Sequence, residues 1–444
     1  MHRFKKLMPL VIVLLIASAC SSDDDGGSGG NTGATGGGAT GVLPDTGTVN
    51  VMNAMEPEEV TAIQAIVDEN IDADYTVELE ADPDFEANLP IRAEGGTLDV
   101  ALVPQPGAVQ GMAADGSIVS LEDMGFDIDA LSALFGDYYL SLGEVDGKHY
   151  GLPTNINLKS MIWYPKKAFD AAGYTVPETW DDLMALTDQI KADGGVPWCV
   201  GFESGGATGW PATDWMEDIM LRTAGVDTYD QWVSHEIPFN DPAVANAAEV
   251  FGDVMFPEGN VLGGAADTPS IAFGDAPGPM FQDPPGCWLH RQASFINAFF
   301  PEGTVAGTDY DWFPFPPIDQ QGVLFAGEFA VVGTNGNRAE TKNFLDQFMA
   351  EKIQCAIGGV TASSRISPNV NVGPDCYANS ILADASVVLT EALASGTGRF
   401  DASDMMPAAV GSGSFWTGMV RYMQDGPDSL QSVLDEIEAS WPTS

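Results

Sequence analysis

Two periodicities alternate along the chain from about residue 48. Residues 48–52, 76–80 and 98–103 carry the β-favouring and apolar weight of short strands. Residues 57–69 instead set Val60, Ile63, Ile66 and Val67 on one helical face, with Pro57 in the first turn, and 84–93 reads as a second helix. This strand–helix alternation predicts an α/β fold with a mostly parallel sheet and right-handed crossovers. Ligands of such sheets sit at the carboxyl ends of the strands, so the loops 53–56 and 104–107 are expected to form one wall of a crevice. Further helices are expected over 179–193, 214–224, 242–256, 339–350 and 428–440.

The stretch 151–173 breaks the pattern. Pro153 forbids a helix before it, and Ile156, Leu158, Met161, Ile162, Trp163 and Tyr164 predict one buried strand over 152–164. Pro165 ends it, and a short helix over 166–172 stops at Gly173. A buried strand that begins with Thr154, Asn155 and Asn157 is unusual, because each polar side chain needs a partner when buried. A cleft where a polar ligand arrives would provide one; an ordinary polar strand end is the alternative.

The first 20 residues are a targeting segment, not part of the fold. Arg3, Lys5 and Lys6 precede an apolar run over 7–16, and Ala17-Ser18-Ala19 is a small-residue cleavage site before Cys20. A cysteine in that place resembles a bacterial lipobox, with Cys20 as the lipidation site, although Ala17 departs from the usual Leu or Val. Residues 21–43 are rich in Gly, Ser and Thr and have little to bury, which predicts a flexible tether. The body from residue 44 is long for one core and suggests two domains.

Charge narrows the partners. The chain has 64 acidic and 17 basic residues, a net −47 that becomes −50 when the three basic residues of the targeting segment leave. Phosphates would be repelled, which argues against nucleic acid and anionic lipid surfaces. A solvated acidic surface suited to salty water explains the balance; a cationic ligand is the other reading.

Apart from Cys20, four cysteines remain, an even number for an exported chain. Of three pairings, Cys199–Cys287 and Cys355–Cys376 are favoured, the second for its short interval. The four histidines (His2, His149, His235 and His290) are scattered, and no CxxC, HxH or HExxH occurs, so neither a metal site nor a cofactor is expected.

At GKHYGLPTNINLKSMIWYPKKAFDAAGYTVPETWDDLMAL the chain resembles the extracellular solute-binding proteins of ABC importers, in the carbohydrate-binding group that includes the maltose-binding protein. Gly147, Lys148, Tyr150, Gly151, Pro153, Tyr164, Ala172, Gly173, Pro177, Thr179, Trp180 and Asp181 carry the likeness. MFQDPPGCWLHRQASF, GEFAVVGTNGNRAETKNFLDQFM and GSGSFWTGMVRYMQDGPDSLQSVLDEIEASW resemble further stretches of the group in order and spacing. The resemblance implies two α/β lobes closing on a ligand by hinge motion, with crossings near 154–158, 324–330 and 358–364. It places 44–156 plus 325–358 in the N-terminal lobe and 157–324 plus 359–444 in the C-terminal lobe.

The same resemblance implies a ligand site but no catalytic residue. Trp210, Trp288 and Trp416 fall in segments where the group places stacking aromatics or cleft loops, with core packing as the alternative for each; Trp215 and Trp312 look like packing residues. Asn157 matches a ligand-contacting position of the crossing strand where the group's member has a carboxylate. Gln105 lies in a loop that corresponds to a ligand wall, without the Trp and Asp often found there. Glu203 is either a cleft carboxylate or a cap. Asn155 completes the set, with Glu56, Glu328, His290 and Arg291 as weaker candidates and Arg365 read as a structural donor. The expected protein is a monomeric, exported receptor, lipid-anchored or secreted, that delivers an α-glucoside or small oligosaccharide to an ABC permease. A polyamine receptor of the same fold, and a secreted glycoside hydrolase needing two spaced carboxylates, are the competing classes.

Overall fold

The computed structural model describes residues 42–442; Cys20, the targeting segment and most of the tether lie outside the described residues. The first strand, β1 (Thr48–Asn53), buries Val49, Val51 and Met52 completely. Helix α1 (Pro57–Asn70) turns Ile63 and Val67 onto the sheet, and β2 (Thr76–Ala81), α2 (Phe85–Glu94) and β3 (Val100–Val103) follow. β1 pairs in parallel with both β2 and β3, as the alternating pattern requires. Helix α3 (Pro106–Asp115) begins inside the expected loop 104–107 and runs on through residues to which the sequence pattern assigns no element. Its two glycines hide the periodicity, but Pro106 suits a first turn and Gly116, at φ 80°, closes the helix in the left-handed conformation.

The expected single strand over 152–164 is two strands, Leu152–Leu158 and Met161–Tyr164. The break falls at Lys159 and Ser160, both buried. Lys159 reaches Asp214 and Asp401, and the Ser160 hydroxyl donates to Asp218 at 2.7 Å. An uninterrupted strand would send neighbouring side chains to opposite faces; the break lets both enter the same polar network.

Strand Leu152–Leu158 is the first crossing. It pairs antiparallel with the return strand, Val323–Gly333, with a register shift between Glu328 and Phe329. Farther along, Phe329–Val332 of the return strand pairs with β3, while Val323–Phe325 pairs in parallel with Gly398–Phe400. One strand is thus common to the first sheet and to the crossing. Gly327 sits where a Cβ would lie 1.7 Å from the Tyr139 hydroxyl and 2.2 Å from the Asn155 carbonyl, so no larger residue fits there.

The second lobe departs from a mostly parallel arrangement in its named strands. Met161–Tyr164 is flanked antiparallel by Asp311–Pro314 and His290–Arg291. It runs outward from the crossing, whereas Asp311–Pro314 leads back toward the return strand, and opposite directions follow. Parallel bridges from Trp198 to Val261 and Leu289 continue the lobe. Its core centres on Trp198, Trp215, Met216, Trp232 and Phe251, distinct from the first lobe's core of Val49, Val51, Val100, Leu102 and Phe344. A third apolar cluster, with Ile156, Leu158, Trp163, Phe325 and Phe329, lies at the crossing strands.

Helix ends differ from the expectation in informative ways. The helix expected over 214–224 starts at Trp210, after Gly209 at φ 115°. The one expected over 339–350 ends at Phe348, and a separate helix, Glu351–Gly358, follows. Helix Ser380–Ser395 was not legible, although Asn379 caps it by accepting from the Ile381 and Leu382 amides. The structure joins Cys199 to Cys287 within the crossing cluster, and Cys355 to Cys376 across the third crossing.

Candidate ligand-binding cleft

Along the first crossing, Asn155 and Asn157 share one face because side chains alternate in a strand. Asn155 stands opposite Glu328 and Asn157 opposite Ala326 in the register. Both amide oxygens, Oδ1 of Asn155 and Oδ1 of Asn157, are buried without a hydrogen-bond partner. An unsatisfied buried acceptor costs about 1–3 kcal/mol. Two on one face form a site that a donor-bearing ligand would relieve. Thr154, on the alternate face, already donates to the Glu328 carbonyl at 3.1 Å.

The second lobe contributes a half-buried aromatic wall. Trp210 meets Phe273 edge-on with ring centroids 5.2 Å apart and lies 5.9 Å from Phe295; Phe299 joins through Phe273, also at 5.2 Å. Sequence reasoning found Trp210 but missed the three phenylalanines, which lie in 3-10 turns and loops with no period to betray them. Such faces suit the C–H surfaces of an amphipathic ligand. The Lys159 ammonium lies 5.3 Å from the Trp210 ring centroid.

The other two tryptophans are placed differently. Trp288 packs edge-on against Tyr174 at 5.0 Å and lies against Gly195, which makes it a packing residue of the second-lobe core. Trp416 is only 3 % exposed, and its indole Nε1 donates to the Ser403 hydroxyl at 3.2 Å. Its carbonyl presses on Gly209, so it backs the turn that presents Trp210. The covered ring offers no free face in this conformation.

Among the carboxylates, Glu203 caps its own loop by accepting from the Gly205 amide at 2.8 Å, and its backbone pairs beside Phe273. Glu56 is exposed at the start of α1. Gln105 is buried at the start of α3. Glu328 is half-buried and paired with Arg365. His290 donates its Nδ1–H to the Cys199 carbonyl at 2.9 Å, and burial pushes its pKa down to about 4, so the ring is neutral.

Beneath the aromatic wall lies a buried ionic network. Lys159 bonds Asp214 and Asp401; Arg291 bonds Asp214 at 3.1 Å and Asp218 at 3.0 Å; Arg222 also bonds Asp218. Burial pushes Glu217 and Asp404 well above the usual carboxylate range. Burial acts on Asp401 in the same direction, but the Lys159 charge together with hydrogen bonds from Lys159, the Asp404 amide and Ser403 overcomes it and holds Asp401 low. Asp214, Glu217 and Asp401 lie within 4.8 Å of one another, a spacing suited to a cation. The Lys159 ammonium already fills that part, so the cluster reads as a charge-paired foundation.

The lobes approach closely around this site. A Cβ on Gly107, in the first turn of α3, would lie 2.1 Å from the Met406 carbonyl. Only a glycine permits so near a backbone contact.

Residues 56–354 match the model of the family described as bacterial extracellular solute-binding protein. The chain belongs to that family. This solute-binding protein is 41 % identical over 363 residues to the osmoprotective compounds-binding protein GgtB of Synechocystis sp., covering 81 % of the chain and 83 % of the relative. It is also 41 % identical over 371 residues to the alpha-glucosides-binding periplasmic protein AglE of Rhizobium meliloti, covering 80 % and 78 %. Among solved structures, the bacterial solute receptor AcbH superposes with a TM-score of 0.74 at 18 % identity, covering 88 % of this chain and 97 % of AcbH. Maltose-bound MalE3 of T. maritima superposes with 0.68 at 13 % identity, covering 88 % and 99 %. These likenesses establish the two-lobed fold of the maltose-binding-protein-like group. The family assignment is to binding proteins, not to hydrolases.

Proposed function

We propose that this solute-binding protein captures a small neutral carbohydrate, an α-glucoside or short oligosaccharide, and delivers it to the permease of an ABC importer. The observation that carries the reading is the pair of unpartnered acceptors on Asn155 and Asn157. Sugar hydroxyls would donate to them, and the sugar's apolar face would rest on Trp210 and its phenylalanine neighbours. AglE, named for binding alpha-glucosides, supports the substrate class. GgtB, named for binding osmoprotective compounds, is a second relative whose name points to a small solute.

In this reading residues 44–156 plus 325–358 and 157–324 plus 359–444 move as two lobes about the crossing strands. Cys20 carries the lipid that tethers the receptor outside the membrane. Calorimetric titration with maltose, trehalose, sucrose and spermidine tests the ligand class. Saturable binding of a sugar that weakens in Asn157→Ala supports it; binding of spermidine alone would give the cleft to a cation and overturn the carbohydrate reading.

A further inference from the structure

The third crossing holds two adjacent side chains that reach in opposite directions. The Ser364 hydroxyl donates to Asn297 Oδ1 at 2.6 Å, in the second lobe between Phe295 and Phe299. Ser364 itself sits at φ 48°, a left-handed conformation a serine seldom takes. Arg365, almost fully buried, reaches Glu59 of α1 at 3.4 Å and Glu328 of the return strand. Glu328 lies at the register shift of that strand, directly opposite Asn155. The third crossing is pinned to the first crossing strand as well, since the Ile156 amide donates to the Ile366 carbonyl at 2.9 Å.

Two carboxylates therefore share one guanidinium in a place with little water. Glu59 comes from the first lobe, whereas Arg365 is held by the crossing strand and, through Ser364, by the second lobe. We propose that Glu59, Arg365 and Glu328 form an interlobe clamp that takes up a proton when the lobes close on ligand. The proposal rests on the two-lobed receptor reading. Opening draws α1 away from the third crossing and returns Glu59 to water, where it ionises. Closing brings it beside Arg365, whose charge Glu328 already engages, and the second carboxyl is left to be neutralised.

The groups facing Glu59 are Arg365 from the third crossing, Glu328 from the return strand and Glu56 from the start of its own helix. Burial is the largest influence, and Glu328 and Glu56 add to it against Arg365, so that Glu59 is pushed up to about 7. A carboxyl whose pKa is raised in the closed state favours closure at low pH, and that contribution is lost as pH rises through about 7. Arg365 is in this sense a positioning residue, while the ligand meets Asn155 and Asn157.

The test is calorimetric titration of the full chain with maltose, trehalose and sucrose at pH 5.5 and 8.0. It is paired with small-angle scattering of the ligand-free protein at both values. The best-binding sugar should bind about tenfold or more tightly at pH 5.5, with net proton uptake when buffers of different ionisation enthalpy are compared. Glu59→Gln, which keeps the size and carries no charge, should hold the tight affinity at both pH values and abolish the uptake. Sugar binding that is equally tight at both pH values in the parent would overturn the clamp. If none of these sugars binds, the ligand class fails separately. A radius of gyration smaller at pH 5.5 in the parent but constant in Glu59→Gln would then still uphold the clamp, and a constant radius in both would sink it.

Discussion

Lys159 and Trp210 are joined by position and by charge: the ammonium lies 5.3 Å from the indole centroid while two buried carboxylates, Asp214 and Asp401, hold it there. The residue that interrupts the strand between the lobes is also the one that supports the aromatic wall. Its burial would be unfavourable without those partners, which together keep it charged.

Lys159→Met should therefore destabilise the protein by about 3–5 kcal/mol, because it strands carboxylates in the interior. Urea unfolding followed by circular dichroism measures this. Adding Asp401→Asn to the Lys159→Met background should recover part of the loss. A single variant as stable as the parent would mean that the network is solvated and that Lys159 is dispensable.

Trp210 should matter to binding through its flat face. Trp210→Phe is expected to keep most of the affinity for the best sugar, and Trp210→Ala to lose about tenfold, roughly 1.4 kcal/mol. Trp288→Phe should leave affinity at the parental value, since that ring packs against Tyr174. Titration of the three variants separates the cleft tryptophan from the core one; a loss in Trp288→Phe with none in Trp210→Ala would reverse the assignment.

Cys20→Ala should release the exported protein from the membrane fraction without altering its affinity for sugar. Fractionation of expressing cells followed by titration of the soluble variant measures both. Undiminished membrane retention would show that anchoring goes through something other than this residue.

The acidic excess, −47 for the whole chain, should make stability rise with salt. Self-repulsion acts over a Debye length of about 10 Å at 0.1 M and about 3 Å at 1 M. Scanning calorimetry across that range should show a melting temperature that climbs with sodium chloride. A falling one would mean that surface ion pairs such as Lys148–Asp123 outweigh the repulsion.

The first three strands were readable from their β-favouring and apolar residues and α1 from its helical period, and Asn155 and Asn157 stood out as polar residues in a buried strand. The rest depended on information that no local pattern carries. Arg365 reads as an ordinary donor until Glu59, 306 residues away, is folded beside it. Trp210 and Trp288 are equivalent in composition and separated only by which neighbours the fold supplies. The burial of Lys159 makes sense only once Asp214 and Asp401 are brought in from distant segments.

The return strand, Val323–Gly333, has a mechanical consequence. Because it is hydrogen-bonded to β3 at one end and to the first crossing strand along much of its length, the junction between the lobes behaves as a torsion bar and not as a loose string. A torsion bar permits rotation about its own line and resists sliding and splaying. In the proposed cleft, closure about such a bar would bring the Trp210 wall back over the same two asparagines, and a captive would be gripped in the same orientation each time.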